Sequence, residues 1–456
     1  MHNIKVKTLG AVLAALAIVD AHAADAPANG GVVPGEGALF KSVFGDSLER
    51  DYGITVSGLI DIGYSRNNRS TSDEREDGTS NLPITGMSDE GLEFGSFHVF
   101  IDKPLKAPFV PRITPLPGPK PEEADIGFTF ETNYGRNAQF ARTFGWDMGW
   151  DRNEQDAGKA ARDKKRFLAI PNIAATAYVP WGTGITVMTG IFGPAMGYEI
   201  PPNIRAARNP FASKTYAFVS SPGTVAGALF GSRLLNDDSG ILGVELGPVR
   251  GWDNVRDNND STSVMGAIRW RSPDMSTWVD YEFIAGNEQN DSTSDVQAPM
   301  NRLISPHNQF KQHHDINGWH QFNDKWSIGA EVLYGRQDGD GKASTIDVVT
   351  GPGFDGARWW GINSTVTYAI RPDLSFSVRG EHFSDPDGFV QFPTTFGARG
   401  DYNALTAGVR YDLNGHVSIR PELRYDWFDA RDHDRPYGNG RDSDRLSAMI
   451  ETLFYF

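Results

Sequence analysis

Charged residues recur two positions apart in several stretches of this chain. Arg269 and Arg271, Asp280 and Glu282, Arg379 and Glu381, Arg410 and Asp412, and the run Arg420, Glu422, Arg424 and Asp426 all follow this spacing. On an extended chain alternate residues share a face, so each set projects its charges to one side. The apolar residues between them, such as Val409, Ile419 and Leu423, take the other side. Asp61, Glu131, Glu245 and Glu331 add carboxylates at equivalent positions. Arginines and carboxylates held this way can set up a transverse field that orients dipolar solutes in a water-filled interior. They can also form a ladder of cross-strand ion pairs that stiffens a wall. The two readings are compatible.

Other chemistry is thinly represented. His313, His314 and His320 could suggest a metal, but adjacent residues on a strand point to opposite faces and make a poor ligand pair. Asp338-Gly-Asp-Gly resembles a fragment of a calcium loop without the remaining ligands. No nucleophile stands at an interpretable spacing from a base. Cysteine is absent, which excludes disulfides, covalent haem attachment and thiolate metal sites. No catalytic residue, metal or cofactor is therefore expected. An isoelectric point near 5.1 argues against nucleic acid as a partner.

Strands must position these charges, and a period-2 strand with one apolar and one mixed face ends the sequence. Phe456, Phe454, Thr452, Ile450, Ala448 and Leu446 form one face, and Tyr455, Leu453, Glu451, Met449 and Ser447 form the other. Leu9 to Val19 is an apolar run after Lys5 and Lys7, too short to span a bilayer, and Ala21-His22-Ala23 reads as a cleavage site. Residues 1–23 are thus expected to be an export signal. Mean hydropathy is −0.41, too polar for a chain of membrane helices, yet aromatics reach 11% and Gly numbers 50. A transmembrane barrel, in which only alternate residues meet lipid, reconciles these values.

Period-2 segments fall near 53–65, 91–103, 124–136, 166–179, 184–192, 224–234, 240–252, 261–272, 275–287, 310–322, 325–337, 357–370, 373–384, 401–413, 415–428 and 444–456. Pro421 interrupts one of them and predicts a bulge, because proline cannot donate a ladder bond. Short turn sequences, such as Ser272-Pro-Asp and Leu413-Asn-Gly, alternate with long polar stretches at 66–90, 137–165, 193–223, 253–260, 288–309, 338–356, 385–400 and 429–443. Long loops outside and short turns inside is the outer-membrane rule. One connection on the short side breaks the pattern: 104–123 carries seven prolines and cannot be a strand. Tyr178, Trp181, Trp326, Tyr368, Tyr411 and Trp427 lie near segment ends and are expected to face lipid as interfacial girdles.

The expected fold is an all-β, antiparallel up-and-down transmembrane barrel of about sixteen strands over 53–456. Residues 24–52 form a periplasmic N-terminal segment, with a short amphipathic helix suggested by Leu39, Phe40, Val43, Phe44 and Leu48. The loop 193–223 is the constriction candidate. It places Glu199, Arg205, Arg208 and Lys214 among apolar and proline residues that would sit poorly in open water.

Val43-Phe-Gly-Asp-Ser-Leu-Glu-Arg-Asp-Tyr-Gly-Ile-Thr-Val-Ser-Gly resembles the opening of the outer-membrane β-barrel porin family called OmpL-like. Arg142-Thr-Phe-Gly-Trp-Asp-Met-Gly-Trp-Asp and Gly190-Ile-Phe-Gly-Pro-Ala-Met-Gly-Tyr-Glu are similar to two of its motifs, and Arg379-Gly-Glu-His-Phe-Ser-Asp-Pro-Asp-Gly-Phe is the best match. Ile191 stands where the family has an arginine. The resemblance implies a porin-type barrel in the bacterial outer membrane. The expected function is a channel for passive diffusion of small hydrophilic solutes. Alternatives are a barrel that sheathes a partner protein, or an outer-membrane enzyme. The expected partners are outer-membrane lipids and lipopolysaccharide, and the barrel-assembly machinery, which recognises a last strand ending in Phe454 and Phe456. A homo-oligomer is compatible with the sequence.

Overall fold

The computed structural model describes residues 38–69, 90–147, 167–194, 196–199, 209–256, 259–288, 308–339, 356–391, 398–438 and 440–456. The export signal expected at 1–23 lies outside them. Each period-2 segment forms a strand. They are β1 Thr55–Asn67, β2 Gly91–Lys103, β5 Asp125–Gly135, β6 Phe167–Val179, β7 Ile185–Phe192, β8 Val225–Asp237, β9 Gly240–Val249, β10 Ser263–Arg271, β11 Thr277–Glu288, β12 Gln309–Gln321, β13 Trp326–Asp338, β14 Gly356–Arg371, β15 Leu374–Asp385, β16 Gly400–Asn414, β17 Val417–Ala430 and β18 Asp444–Tyr455. Two short strands, β3 Phe109–Val110 and β4 Thr114–Pro115, form a separate hairpin.

The sixteen long strands pair antiparallel in chain order and close into one barrel, with Leu59 of β1 opposite Tyr455 of β18. Closure leaves the barrel sheet without a free edge, which a strand in lipid could not leave unpaired. Burial alternates along the strands. On β17, Ser418, Arg420, Glu422, Arg424 and Asp426 are buried, whereas Leu423, Tyr425 and Trp427 are exposed. The exposed apolar face is the lipid face, and the buried face is the interior.

Three expectations require correction. No bulge forms at Pro421. Pairing of Gly408 with Glu422 and of Tyr411 with Ile419 shows one register on both sides of it, and the irregularity falls at Asp412/Asn414 instead. Pairs at Val409 and Arg410 simply drop out of the β16–β17 ladder, while Pro421 still pairs with Ile450 of β18. A strand offers its N–H groups alternately to its two neighbours, so one missing donor is lost on one side only. Tyr178 does not join the lipid-facing aromatics. It is buried, and its hydroxyl donates to the Pro121 carbonyl at 2.8 Å. The N-terminal helix is two helices, Ala38–Phe44 and Ser47–Tyr52, broken at Gly45, whose φ of +80° lies in the left-handed region that favours glycine. Val43, Phe44, Leu48 and Tyr52 are exposed.

The interior is occupied. One apolar cluster runs from Met188, Phe192 and Leu229, through Met196 and Tyr216, to Trp359, Phe389 and Tyr402. Strand residues from distant arcs of the wall can join one cluster only because a loop spans the space between them.

Candidate functional site

The spanning loop is 193–223, between β7 and β8. Its described residues, 193–194, 196–199 and 209–223, reach the arc β13–β18 and are held there by inward charges that the alternation of β15 and β17 supplies. Arg379 donates from Nη1 to Glu199 Oε1 at 2.5 Å and to the Ser213 carbonyl at 3.1 Å, and from Nη2 to Ser213 Oγ at 3.0 Å. Glu199 Oε2 accepts from the Thr215 N–H at 2.7 Å. Glu422 accepts from the N–H of Ala212 at 2.6 Å and of Ser213 at 3.2 Å. Glu381 accepts from the Tyr216 N–H at 2.8 Å. Arg420 donates to the Asn209 carbonyl at 2.5 Å and to Glu451 at 2.7 Å. Arg424 donates to the Lys214 carbonyl at 2.9 Å, and pairs with Glu381 at 2.7 Å and Asp426 at 2.8 Å. A loop leaving its sheet must find partners for its buried backbone groups, and this wall provides them.

Two glycines seat the loop's rings. A Cβ on Gly329 would lie 2.1 Å from the Tyr198 ring, which also stacks on Trp278 with centroids 5.9 Å apart. Phe211 sits near Gly408 and beneath the Arg379 guanidinium, 4.8 Å from ring centroid to Cζ. Loop groups are shifted accordingly. Burial pushes the Lys214 amine down to about 8. Burial would raise Glu199, but Arg379 and Lys214 beside it hold its carboxyl below the usual range. Arg205 and Arg208 lie outside the described residues.

A second charge cluster lies on β9–β11. Arg269 donates to Asp280 at 2.7 Å, Glu282 at 2.6 Å and Glu245 at 2.8 Å. Arg271 donates to Asp280 at 3.1 Å and stacks over Trp278 at 5.2 Å. Glu282 also accepts from the Gly197 N–H at 2.9 Å, so the spanning loop touches both clusters. Arg410 and Asp412 stand apart, paired with each other at 3.0 Å and partly exposed near the short-turn end. His313 is buried edge-on to Trp252, while His314 takes the other face beside Tyr281. Among the described residues no metal-holding group of His, Asp and Glu is found.

Sequence reasoning missed one element of the interior. The Pro-rich connection 104–123 turns into the barrel as the β3–β4 hairpin. Phe109 is fully buried there, against Gly231 of β8 and Gly243 of β9. A usable signal existed: two glycines at inward positions of adjacent strands leave a hollow that something must fill.

The family model described as "Putative beta-barrel porin-2, OmpL-like" matches residues 53–456, the whole closed barrel. The chain belongs to this family. It is an outer-membrane β-barrel of the porin type, and the family points to a channel rather than an enzyme. Among solved structures, OprB of Pseudomonas putida aligns with a TM-score of 0.50 at 11% identity, covering 91% of this chain and 97% of that one. An anion-selective porin from Comamonas acidovorans aligns with a TM-score of 0.50 at 8% identity, covering 88% and 99%. The outer membrane channel DcaP of Acinetobacter baumannii gives 0.49 at 11% identity, covering 88% and 97%. At such identities the likeness is one of fold. No curated protein matches the sequence.

Proposed function

We propose that the lumen passes small hydrophilic solutes by passive diffusion, with its cross-section set where 193–223 crosses it. The observation that carries this reading is a polar, charge-bearing interior in a porin-family barrel, spanned by a loop anchored to the far wall through Arg379, Arg420, Arg424 and Glu422. In this reading Arg269, Arg271, Asp280, Glu282, Arg379, Glu381, Arg410, Asp412, Arg420, Glu422, Arg424 and Asp426 line the interior as ion pairs, and those of β11, β15 and β17 fix the loop. Each inward arginine of β15–β17 has a carboxylate close by. These paired charges by themselves should therefore give only a mild ion preference. The exterior apolar belt would meet lipid and lipopolysaccharide, and a homo-oligomer would form through that same belt.

Liposomes carrying the purified protein test the reading. Swelling in uncharged sugars of increasing size should slow steeply with solute radius. Swelling no faster than in protein-free liposomes for every sugar would reject a diffusion channel.

A further inference from the structure

We propose that the connection 104–123 is a second constriction element, inserted from the short-turn mouth opposite 193–223, and that Arg112 at its tip discriminates against cations. The proposal rests on the channel reading above and extends it to a segment which that reading leaves without a role.

The hairpin is built to stay inside. Prolines remove backbone donors that a buried segment would otherwise have to satisfy, and they restrict the chain before it docks. Several of its polar groups find partners along the wall. Arg233 donates to the Leu116 carbonyl at 2.5 Å, Arg271 to Thr114 Oγ1 at 2.9 Å, and Lys120 to the carbonyls of Pro180 and Gly182 at 2.9 Å. The wall is shaped to receive it. A Cβ on Gly231 would lie 2.3 Å from the Phe109 ring, and one on Gly243 would lie 2.4 Å from it. A side chain at either position would exclude the ring.

The tip reaches the other inserted loop. Arg112 holds φ at +67°, a left-handed conformation that costs a residue with a Cβ energy and that the surroundings must impose. Its N–H donates to Glu245 Oε2 at 2.6 Å, its Nη1 approaches Met188 Sδ at 3.8 Å, and its guanidinium lies 5.2 Å from the Phe192 ring centroid. Phe192 ends β7, where 193–223 begins. The two insertions from opposite mouths therefore meet at Arg112, which is half-buried. A guanidinium at a narrow point raises the local concentration of small anions such as carboxylates and repels cations.

Single-channel recording tests this on the full chain, with heat-modifiable migration confirming a folded barrel for each variant. Phe109→Ala and Gly243→Leu should both release the hairpin and raise conductance above the parent's. Because the chain has no cysteine, R112C can be modified selectively with an anionic methanethiosulfonate. Modification should lower conductance and shift the reversal potential toward cations. Parent-like conductance in both releasing variants, with R112C unresponsive, overturns the proposal. If the parent does not conduct, the channel reading fails separately. In that case Phe109→Ala still decides: opening supports the hairpin as the barrier, and continued silence rejects it.

Discussion

Arg379 shows why the wall charges matter one by one. It is buried and ties Glu199 and Ser213 to β15. Removing one partner of a buried pair leaves the other charge desolvated and uncompensated, at a cost of about 3–5 kcal/mol. Arg379→Ala should lower the thermal midpoint of the folded barrel, read by heat-modifiable migration, and raise single-channel conductance as the loop loosens. Arg379→Lys should recover only part of the loss, because an ammonium cannot span carboxylate and carbonyl as a planar fork does. A parent-like midpoint and conductance in Arg379→Ala would show that the loop is held by other contacts.

Lys214 gives the residue-scale pH dependence. Burial pushes its amine down from an ordinary 10.5 to about 8, with Glu199 and Glu451 opposing the shift and Arg420 and Arg379 adding to it. Between those values the unfolded chain binds more protons, so this group's contribution to stability rises with pH across that window. In the channel the same titration removes a positive charge. The reversal potential should therefore move toward cations as pH rises through about 8, and Lys214→Met should abolish that step. The same step surviving in Lys214→Met would assign it to another group.

At the scale of elements, the last strand is a closing device. The Phe456 N–H donates to the Gly58 carbonyl at 3.0 Å, and the Gly58 N–H donates back at 2.7 Å. The Phe456 ring covers Gly58 and stacks on Phe97 at 5.9 Å. Deleting Phe456 should lower the yield of folded barrel in the outer membrane without affecting export, as measured by fractionation. Unchanged yield would mean that β18 closes and is recognised without it. The strands themselves were legible because a wall between lipid and a polar interior forces period 2, and no other element does so over ten residues. Pro421 misled because its missing donor removes pairs from one ladder without adding the extra residue that would shift that ladder's register. The 104–123 hairpin was not legible as an insertion. Proline content excludes a strand, but it does not say whether the segment lies in water or inside the barrel. Only Gly231 and Gly243, read together, point inward. The charged site was legible in its members and not in its partners. Period 2 places Arg379, Arg420 and Arg424 inward, yet nothing local in the sequence says that a loop some two hundred residues upstream of Arg420 and Arg424 will supply their acceptors.

At the scale of the molecule, the barrel is a closed wall around two inserted segments, one from each mouth. Orientation follows from the alternation of long and short connections. A tag inserted at Asp260 should be reached by antibody on intact cells, whereas one at Asp238 should be reached only after the outer membrane is opened. The reverse pattern would invert the barrel. What passes is then decided by whether a continuous aqueous path remains between the two insertions. Planar-bilayer recording of the purified, unmodified protein measures this most directly. A passive channel of this build gives discrete ohmic steps that scale with bulk salt conductivity, with a small reversal potential in a salt gradient because the wall charges are mutually paired. A folded barrel that inserts and shows no steps at any voltage or salt concentration would contradict it.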